Sequence, residues 1–257
     1  MDIFQAIFLS IIEGITEFLP ISSTGHLILA SNLLEIPQTE FAKSFEIIIQ
    51  LGAILSVIVL YWKRIYQNFA LWRNIVIAFI PTAAIGLLFY KMIKDVFFEN
   101  IWITIFALLI GGILLILIEK LHKEKDSHTD SLEKLTLKQS FLIGVAQSFS
   151  IIPGTSRAAA TIIGGLLVGT KRKVAVEFSF LLAVPTMAAA TGLDLIKSNF
   201  SFTGMEILIL VVGFSGSFIT ALFVVKWFIK FIGNNNFIWF GVYRIALSLI
   251  FILLLLD

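Results

Sequence analysis

The sequence predicts an all-α integral membrane protein, with six transmembrane helices plus two re-entrant helical hairpins in an inverted-topology repeat. Composition is the first reason: 58% of the 257 residues are apolar, 14% are charged and the mean hydropathy is +0.99. Soluble domains are about 25% charged. Long apolar runs are the second reason, and polar interruptions of two such runs are the third. Cysteine is absent, which excludes disulfides and thiolate chemistry.

Six apolar segments approach the length that crosses a bilayer, which is about 20 residues. They cover roughly 45–62, 75–93, 101–118, 176–196, 205–226 and 237–256. Two further apolar regions, 3–33 and 139–169, are interrupted by polar residues and leave halves too short to span. Irregular backbone at membrane depth is tolerated only against protein or a wet cavity. Each interrupted region is therefore predicted to be a hairpin that enters and leaves on one side.

Basic residues predict the orientation. A cytoplasmic loop at 63–74 places thirteen basic residues on the cytoplasmic side and four outside, as the positive-inside rule requires. Both termini are then outside, and the N-terminus lacks the basic region of a signal peptide. Because the net charge is only +2 and the basic residues lie in short loops, we expect no nucleic-acid partner.

An internal repeat is predicted at an offset of 133 residues, which pairs Pro20 with Pro153 and Phe45 with Phe178. Three crossings separate the copies, and this odd number inverts the second copy relative to the first. A single membrane domain, 1–257, is thus divided into a first repeat (1–118), a cytoplasmic linker (119–138) and a second repeat (139–257). The charged linker contains His122 and His128, and we interpret it as a solvated connector rather than a metal site.

Two carboxylates precede the first interruption. Glu13 and Glu17 are four residues apart, hence on one helical face. Carboxylates this close repel each other unless they share a cation or a proton. A divalent cation, Mg²⁺ or Ca²⁺, or a proton relay is therefore expected. The alternative is a solvated pair near a helix end, although the surrounding residues are apolar.

Hydroxyl groups and a histidine follow within the same stretch. Ser22, Ser23 and Thr24 stand where a helix is predicted to begin, and such a helix start attracts anions. The same residue types also cap helices without any catalytic role. His26 lies three residues after Ser23, and its ordinary pKa of about 6.5 suits proton transfer.

The second interruption supplies a cation. Arg157 follows Pro153-Gly-Thr-Ser within an apolar region, and its forked donors match phosphate oxygens. The alternative is a structural salt bridge to Glu13 or Glu17, which is compatible with phosphate binding. Arg244 lies within the last apolar segment and is interpreted as a packing or ion-pair residue.

Together these motifs resemble a known family. Glu13-x-x-x-Glu17 with Phe-Leu-Pro-Ile-Ser-Ser-Thr-Gly-His, and Pro153-Gly-Thr-Ser-Arg157 with Thr161, are similar to the bacterial undecaprenyl-pyrophosphate phosphatases associated with bacitracin resistance. The resemblance implies that a polyprenyl (C55) pyrophosphate lipid loses its terminal phosphate, which recycles the lipid carrier for cell-wall synthesis. It also implies a divalent metal, the cytoplasmic (inner) membrane and a site open to its outer face. It leaves a homodimer open.

Carried over to this sequence, the family motifs predict the site residues. The catalytic set is Glu17, Ser23, His26 and Arg157; the substrate-binding set is Ser22, Thr24, Ser156, Arg157 and Thr161; the metal set is Glu13 and Glu17. Ser23 is expected to be the nucleophile, and His26 is the alternative. A transporter or lipid flippase is the competing class, because broken helices and intramembrane carboxylates are equally natural there.

Overall fold

The computed structural model describes residues 1–37, 39–89, 100–197 and 202–256, and their regular structure is helical apart from one isolated bridge between Thr129 and Thr170. Ten α-helices lie in these ranges. They are α1 (Ile3–Thr16), α2 (Ser23–Leu33), α3 (Glu40–Gln67), α4 (Phe69–Leu88), α5 (Ile101–Leu121), α6 (Leu137–Ser148), α7 (Arg157–Leu167), α8 (Arg172–Lys197), α9 (Gly204–Ile232) and α10 (Ile238–Leu256).

Five of the described helices are long and apolar enough to cross a membrane: α3, α4, α5, α8 and α9. They carry outward aliphatic and aromatic side chains, as lipid contact requires. The apolar stretch Ile238–Leu254 of α10, predicted as the sixth crossing, is shorter. The all-helical membrane class is therefore confirmed, and the count of six remains a prediction. The predicted end of the second segment, 90–93, lies outside the described residues.

The two interrupted regions each form a helix, an irregular break and a second helix. Asp2 and Gln5 form a capping box at the start of α1, as Thr136 and Gln139 do at the start of α6. Each of these glutamines also donates to the end of the second arm of its own hairpin. Gln5 Nε2 lies 3.1 Å from the carbonyl oxygen of Leu34, and Gln139 Nε2 lies 3.0 Å from that of Val168. The glutamine side chain thus ties the two arms together at their polar end.

These matched contacts are 134 residues apart, one more than the predicted offset. Ser22 and Ser156 both cap the second arm with a positive φ, 72° and 70°. The pairing of Pro20 with Pro153 is therefore wrong by one position. The offset of 133 holds again at Phe45 and Phe178, which are both fully buried. A residue is thus gained in the second copy between its capping box and the helix after the hairpin.

The packing of the helices exchanges partners between the halves α1–α5 and α6–α10. The first helix of each half packs against the fourth helix of the other, α1 on α9 and α6 on α4. A Cβ at Gly144 would overlap the backbone of Ala78, so α6 and α4 approach as closely as glycine permits. α3 packs on α8 and α5 on α10. This exchange brings the two breaks together at the centre of the protein.

Candidate active site

Local sequence explains both breaks. Pro20 lacks a backbone N–H and disfavours helical backbone at Leu19, so the chain from Glu17 to Ser22 leaves the helix. In the second region a 3₁₀ turn, Phe149–Ile151, leads to Gly154 with φ +88°. A Cβ on Gly154 would overlap the carbonyl oxygen of Thr104, so only glycine fits this close approach. Each break ends where a serine caps the next helix.

The first and second breaks meet through an ion pair. Nη2 of Arg157 lies 2.8 Å from Oε1 of Glu17, and the two side chains are 9% and 5% exposed. The other carboxylate oxygen, Oε2, accepts a hydrogen bond of 2.7 Å from the hydroxyl of Ser23. One buried carboxylate therefore joins the guanidinium of the second hairpin to a hydroxyl of the first. Such an arrangement can accept the serine proton while the arginine holds an anion.

The guanidinium of Arg157 keeps an unused donor. Nη1 donates to the carbonyl oxygen of Ser179 at 2.9 Å, whereas the buried Nε has no partner among the described residues. The guanidinium carbon lies 5.6 Å from the ring centroid of Phe18, which supports the flat group from one side. An anionic ligand can therefore be held at the Nε edge.

Ser179 belongs to this site, although the sequence analysis did not select it. It is fully buried on α8, and its Oγ lies 2.6 Å from the hydroxyl of Thr161. That hydroxyl also lies 3.0 Å from the carbonyl oxygen of Arg157. Thr161, which was expected to bind substrate, is itself fully buried beneath Arg157, so here it supports the arginine. The offset of 133 pairs Glu46 with Ser179, and this was a signal for the missed residue.

Glu13 lies beside this cluster without a partner. It is fully buried, and neither carboxylate oxygen has a hydrogen-bond partner among the described residues. Glu17, Glu46 and Arg157 all interact with it electrostatically. Buried polar groups without partners are rare in folded proteins, and an unpartnered carboxylate beside a second one suits a hard cation. The described residues contain no group of three metal-ligating side chains, so phosphate oxygens and water would have to complete the coordination.

His26 is held apart from the ion pair. Its Nδ1 lies 2.7 Å from the carbonyl oxygen of Ser22, and its Nε2 lies 2.7 Å from the hydroxyl of Tyr243. Since a carbonyl oxygen only accepts, Nδ1 carries the proton, and Nε2 of the neutral ring accepts from Tyr243. The two rings are also stacked, with centroids 5.5 Å apart. In the described part of the chain no hydrogen bond joins His26 to Glu17, Ser23 or Arg157. Tyr243 was not singled out from the sequence.

Two of the predicted substrate-binding hydroxyls act as helix caps. Ser22 accepts from the amide of Gly25 at 3.4 Å, and Ser156 from that of Ala159 at 3.2 Å. The side chain of Thr24 is half-buried and makes no hydrogen bond within the described ranges. Capping leaves the first two amides of α2 and of α7 without partners among these residues, as is normal at helix starts. These amides lie next to Glu17 and Arg157 and can receive an anion.

The linker is better ordered than a solvated connector. Thr129 forms backbone hydrogen bonds with both Gly169 and Lys171, at 3.0 and 2.9 Å. The rings of His122 and His128 lie 5.1 Å apart and line a cavity of about 330 Å³. Burial lowers the pKa of His122 from its ordinary value. The linker therefore docks on the end of α7, away from the two breaks.

Comparison with known proteins supplies the family. Residues 6–250 match the family described as bacitracin resistance protein BacA. The chain belongs to the BacA family. A relative from Aquifex aeolicus named undecaprenyl-diphosphatase is 52% identical over 251 residues, which cover 98% of each chain. Relatives with the same name from a Sulfurihydrogenibium species and from Wolinella succinogenes are 54% and 50% identical, each over 98% of this chain and over 99% and 98% of their own lengths.

Within the BacA family this chain keeps both polar breaks intact. The family match spans every described helix from the first turns of α1 into α10. The ion pair between Glu17 and Arg157 is thus formed by two distant parts of one family domain, 140 residues apart in sequence.

Proposed function

We propose that this protein hydrolyses undecaprenyl (C55) pyrophosphate to undecaprenyl phosphate and inorganic phosphate, and so returns the lipid carrier to cell-wall synthesis. The observation that carries the proposal is the chain of contacts from Ser23 through Glu17 to Arg157 across the two breaks. A nucleophile, a base and a phosphate-binding cation stand in hydrogen-bond contact there. The relatives' name adds the lipid substrate, and bacitracin resistance follows from the family.

The membrane arrangement is part of the proposal. The protein lies in the bacterial cytoplasmic membrane with six crossings, two re-entrant hairpins and the site open to the outer face. Residues 1–118 and 139–257 form inverted repeats. The exchanged packing of α1 on α9 and α6 on α4 supports this arrangement, as do the matched hairpin contacts. The positive-inside count supports a cytoplasmic linker. Inverted repeats commonly place their site at the repeat interface near the midplane.

In the first step Arg157 binds the pyrophosphate with its free Nε edge and with the Nη2 donor that Glu17 otherwise occupies. The free amides at the starts of α2 and α7 hold further oxygens. Ser23 Oγ then forms a bond to the terminal phosphorus while the bond from that phosphorus to the bridging oxygen breaks in line. The electron pair of the broken bond leaves on the lipid phosphate, and Glu17 takes the serine proton.

In the second step water attacks the phosphoserine. The bond between phosphorus and Ser23 Oγ breaks, Glu17 returns the proton to Oγ, and inorganic phosphate leaves. Ser179 and Thr161 hold the guanidinium of Arg157 in place through both steps. No residue ends the cycle in a changed state.

The hydrogen bonds favour Ser23 over His26 as the nucleophile. Nε2 of His26 accepts from Tyr243, and Nδ1 donates to Ser22, so neither nitrogen has a free lone pair. Oγ of Ser23 instead donates to a carboxylate, the arrangement that activates a hydroxyl. His26, fixed as the Nδ1–H tautomer by these partners, assists in moving the proton of the leaving group or of water. A trapped phosphoenzyme that proves to be phosphohistidine would reverse this assignment.

A divalent cation, Mg²⁺ or Ca²⁺, fits the chain at Glu13. This residue offers two buried, unpartnered oxygens next to Glu17. Glu13 and Glu17 would hold the ion, which supplies positive charge against the phosphate oxygens. Thermal unfolding with and without the ion tests the fit independently of turnover. The wild type should gain stability from Mg²⁺ or Ca²⁺ and lose that gain in EDTA.

Phosphate release decides between the proposed enzyme and the transporter class. Purified protein in detergent should liberate inorganic phosphate from C55 pyrophosphate, because detergent abolishes transport but not hydrolysis. Ser31 offers a matched control for Ser23, since both are on α2 and the Ser31 hydroxyl is buried without a partner. Ser23→Ala should abolish release and Ser31→Ala should retain it. A folded wild type that releases no phosphate would refute the proposal and leave a transporter.

A further inference from the structure

Arg244 on α10 is fully buried and is the largest such side chain among the described residues. Its guanidinium donates only to backbone carbonyl oxygens. Two belong to α5, those of Ala107 and Leu108, at 3.0 and 3.3 Å. In the described part of the chain it makes no ion pair with a carboxylate, so the expected ion-pair partner is absent there and the packing interpretation holds.

The other two carbonyl oxygens belong to the two breaks. Nη1 donates to Pro20 at 3.3 Å, and Nη2 donates to Gly154 at 3.0 Å. One side chain therefore holds the first break, the second break and α5 at the same time. Placing arginine in the apolar part of a membrane costs about 2.5–3.5 kcal/mol on insertion scales. Four hydrogen bonds to otherwise unpartnered carbonyl oxygens offset that cost.

The surroundings are shaped for this guanidinium. Gly111 on α5 faces it so closely that a Cβ there would overlap Nη2 and lie 2.9 Å from the guanidinium carbon. Gly154 can offer its carbonyl oxygen only in a backbone conformation with positive φ, which glycine adopts without strain. Two glycines in distant parts of the sequence thus make room for the same side chain.

We propose that Arg244 is a positioning residue for the reaction: by bonding both breaks it fixes the distance from Ser23 and Glu17 to Arg157. The inference rests on the proposed function, since it assigns a role within the same site. Pro20 lies between Glu17 and Ser23, and Gly154 lies three residues before Arg157. A change in the spacing of these two carbonyl groups therefore moves nucleophile and cation relative to each other. A misplacement of 1 Å can lower a rate about 100-fold.

Two variants separate the clamp from the charge. Arg244→Lys retains the positive charge, but one ammonium cannot reach carbonyl oxygens on three sides. Gly111→Ala leaves Arg244 in the chain and displaces its guanidinium. The matched control is Gly86→Ala on α4, where an added Cβ would meet its nearest atom, Ile151 Cδ1, at 3.9 Å. We expect kcat to fall at least about tenfold in both test variants, with KM changed less than kcat, and Gly86→Ala to match the wild type.

A distance measurement tests the clamp without turnover. The chain has no cysteine, so spin labels on Ile15→Cys and Phe149→Cys, both exposed beside the breaks, report the spacing directly. Arg244→Lys and Gly111→Ala should broaden or shift that distance distribution, and Gly86→Ala should not. An unchanged distribution, or a kcat loss that only follows the fraction of unfolded protein, would overturn the proposal. If the wild type itself releases no phosphate, the proposed function fails while the distance result still judges the clamp.

Discussion

The two hairpins have closely matching backbones and different chemistry. Ser22 and Ser156 cap the second arm in the same conformation, and the next residue is Ser23 in one hairpin and Arg157 in the other. The same interval of 134 residues pairs Glu13 with Gln147. The first hairpin therefore carries the carboxylates and the nucleophile, and the second carries the cation. A pyrophosphate can be bound and cleaved only where the two meet.

The unequal pair Glu13 and Gln147 separates a functional side chain from a structural one. The amide of Gln147 donates to the hydroxyls of Thr82 and Thr186 at 3.0 Å each, so it joins α6 to α4 and α8. Glu13 occupies the matching position with both oxygens unpartnered. A buried group that the fold does not satisfy is expected to serve a ligand. The comparison assigns the cation to the first hairpin alone.

The largest effect is expected from removing the hydroxyl unique to the first hairpin. Ser23→Ala should lower kcat by about 10⁴-fold or more, as loss of a covalent nucleophile does. The check is phosphate release together with mass spectrometry of the wild-type phosphoenzyme, which should carry the phosphate at Ser23. Retention of a tenth of the wild-type rate would show that the nucleophile lies elsewhere.

Arg157→Lys should have the next largest effect. The ammonium can contact Glu17 but cannot also reach Ser179 and a phosphate with fixed geometry. Loss of one transition-state donor typically costs 10²- to 10³-fold in kcat, and we expect about this range. Arg64→Lys is the control, because Arg64 also pairs with a glutamate, Glu177, but is half exposed. Equal effects at the two arginines would contradict a specific role for Arg157.

A reciprocal exchange sharpens the contrast between carboxylate and amide. Glu13→Gln should weaken the stabilisation by Mg²⁺ or Ca²⁺ at least about tenfold in half-saturating concentration, measured by thermal unfolding. Gln147→Glu should instead lower the unfolding temperature, because it buries a carboxylate among groups arranged for an amide. If Glu13→Gln leaves the response to the ion unchanged, the cation does not bind at Glu13.

The smallest effects are expected at the two caps. Ser22→Ala and Ser156→Ala each remove one hydrogen bond to a helix start, worth about 1 kcal/mol. The free energy of unfolding should fall by similar amounts in both variants, since the two caps have the same geometry. A much larger loss of kcat than of stability in either variant would assign that hydroxyl to the substrate.

Much of this protein can be predicted from local sequence because its causes are local. Pro20 and Gly154 interrupt helices by their own covalent structure, serines cap the helices that follow, and apolar length marks the crossings. Helix ends were less accurate. The first crossing was predicted at 45–62, whereas α3 extends from Glu40 to Gln67, because the helix continues beyond its apolar part into polar residues at both ends.

The tertiary structure decided which polar residues share a partner. Arg157 pairs with Glu17 and not with Glu13, although the sequence allowed either. Ser179, Tyr243 and Arg244 lie on helices with no local motif, and they join the site only because α8 and α10 pack beside the breaks. Apolar spacing specifies which face of a helix is buried but leaves open which neighbour it meets. Hydrogen bonds between residues 100 or more apart in sequence depend on that neighbour, so they arise only in the packed molecule.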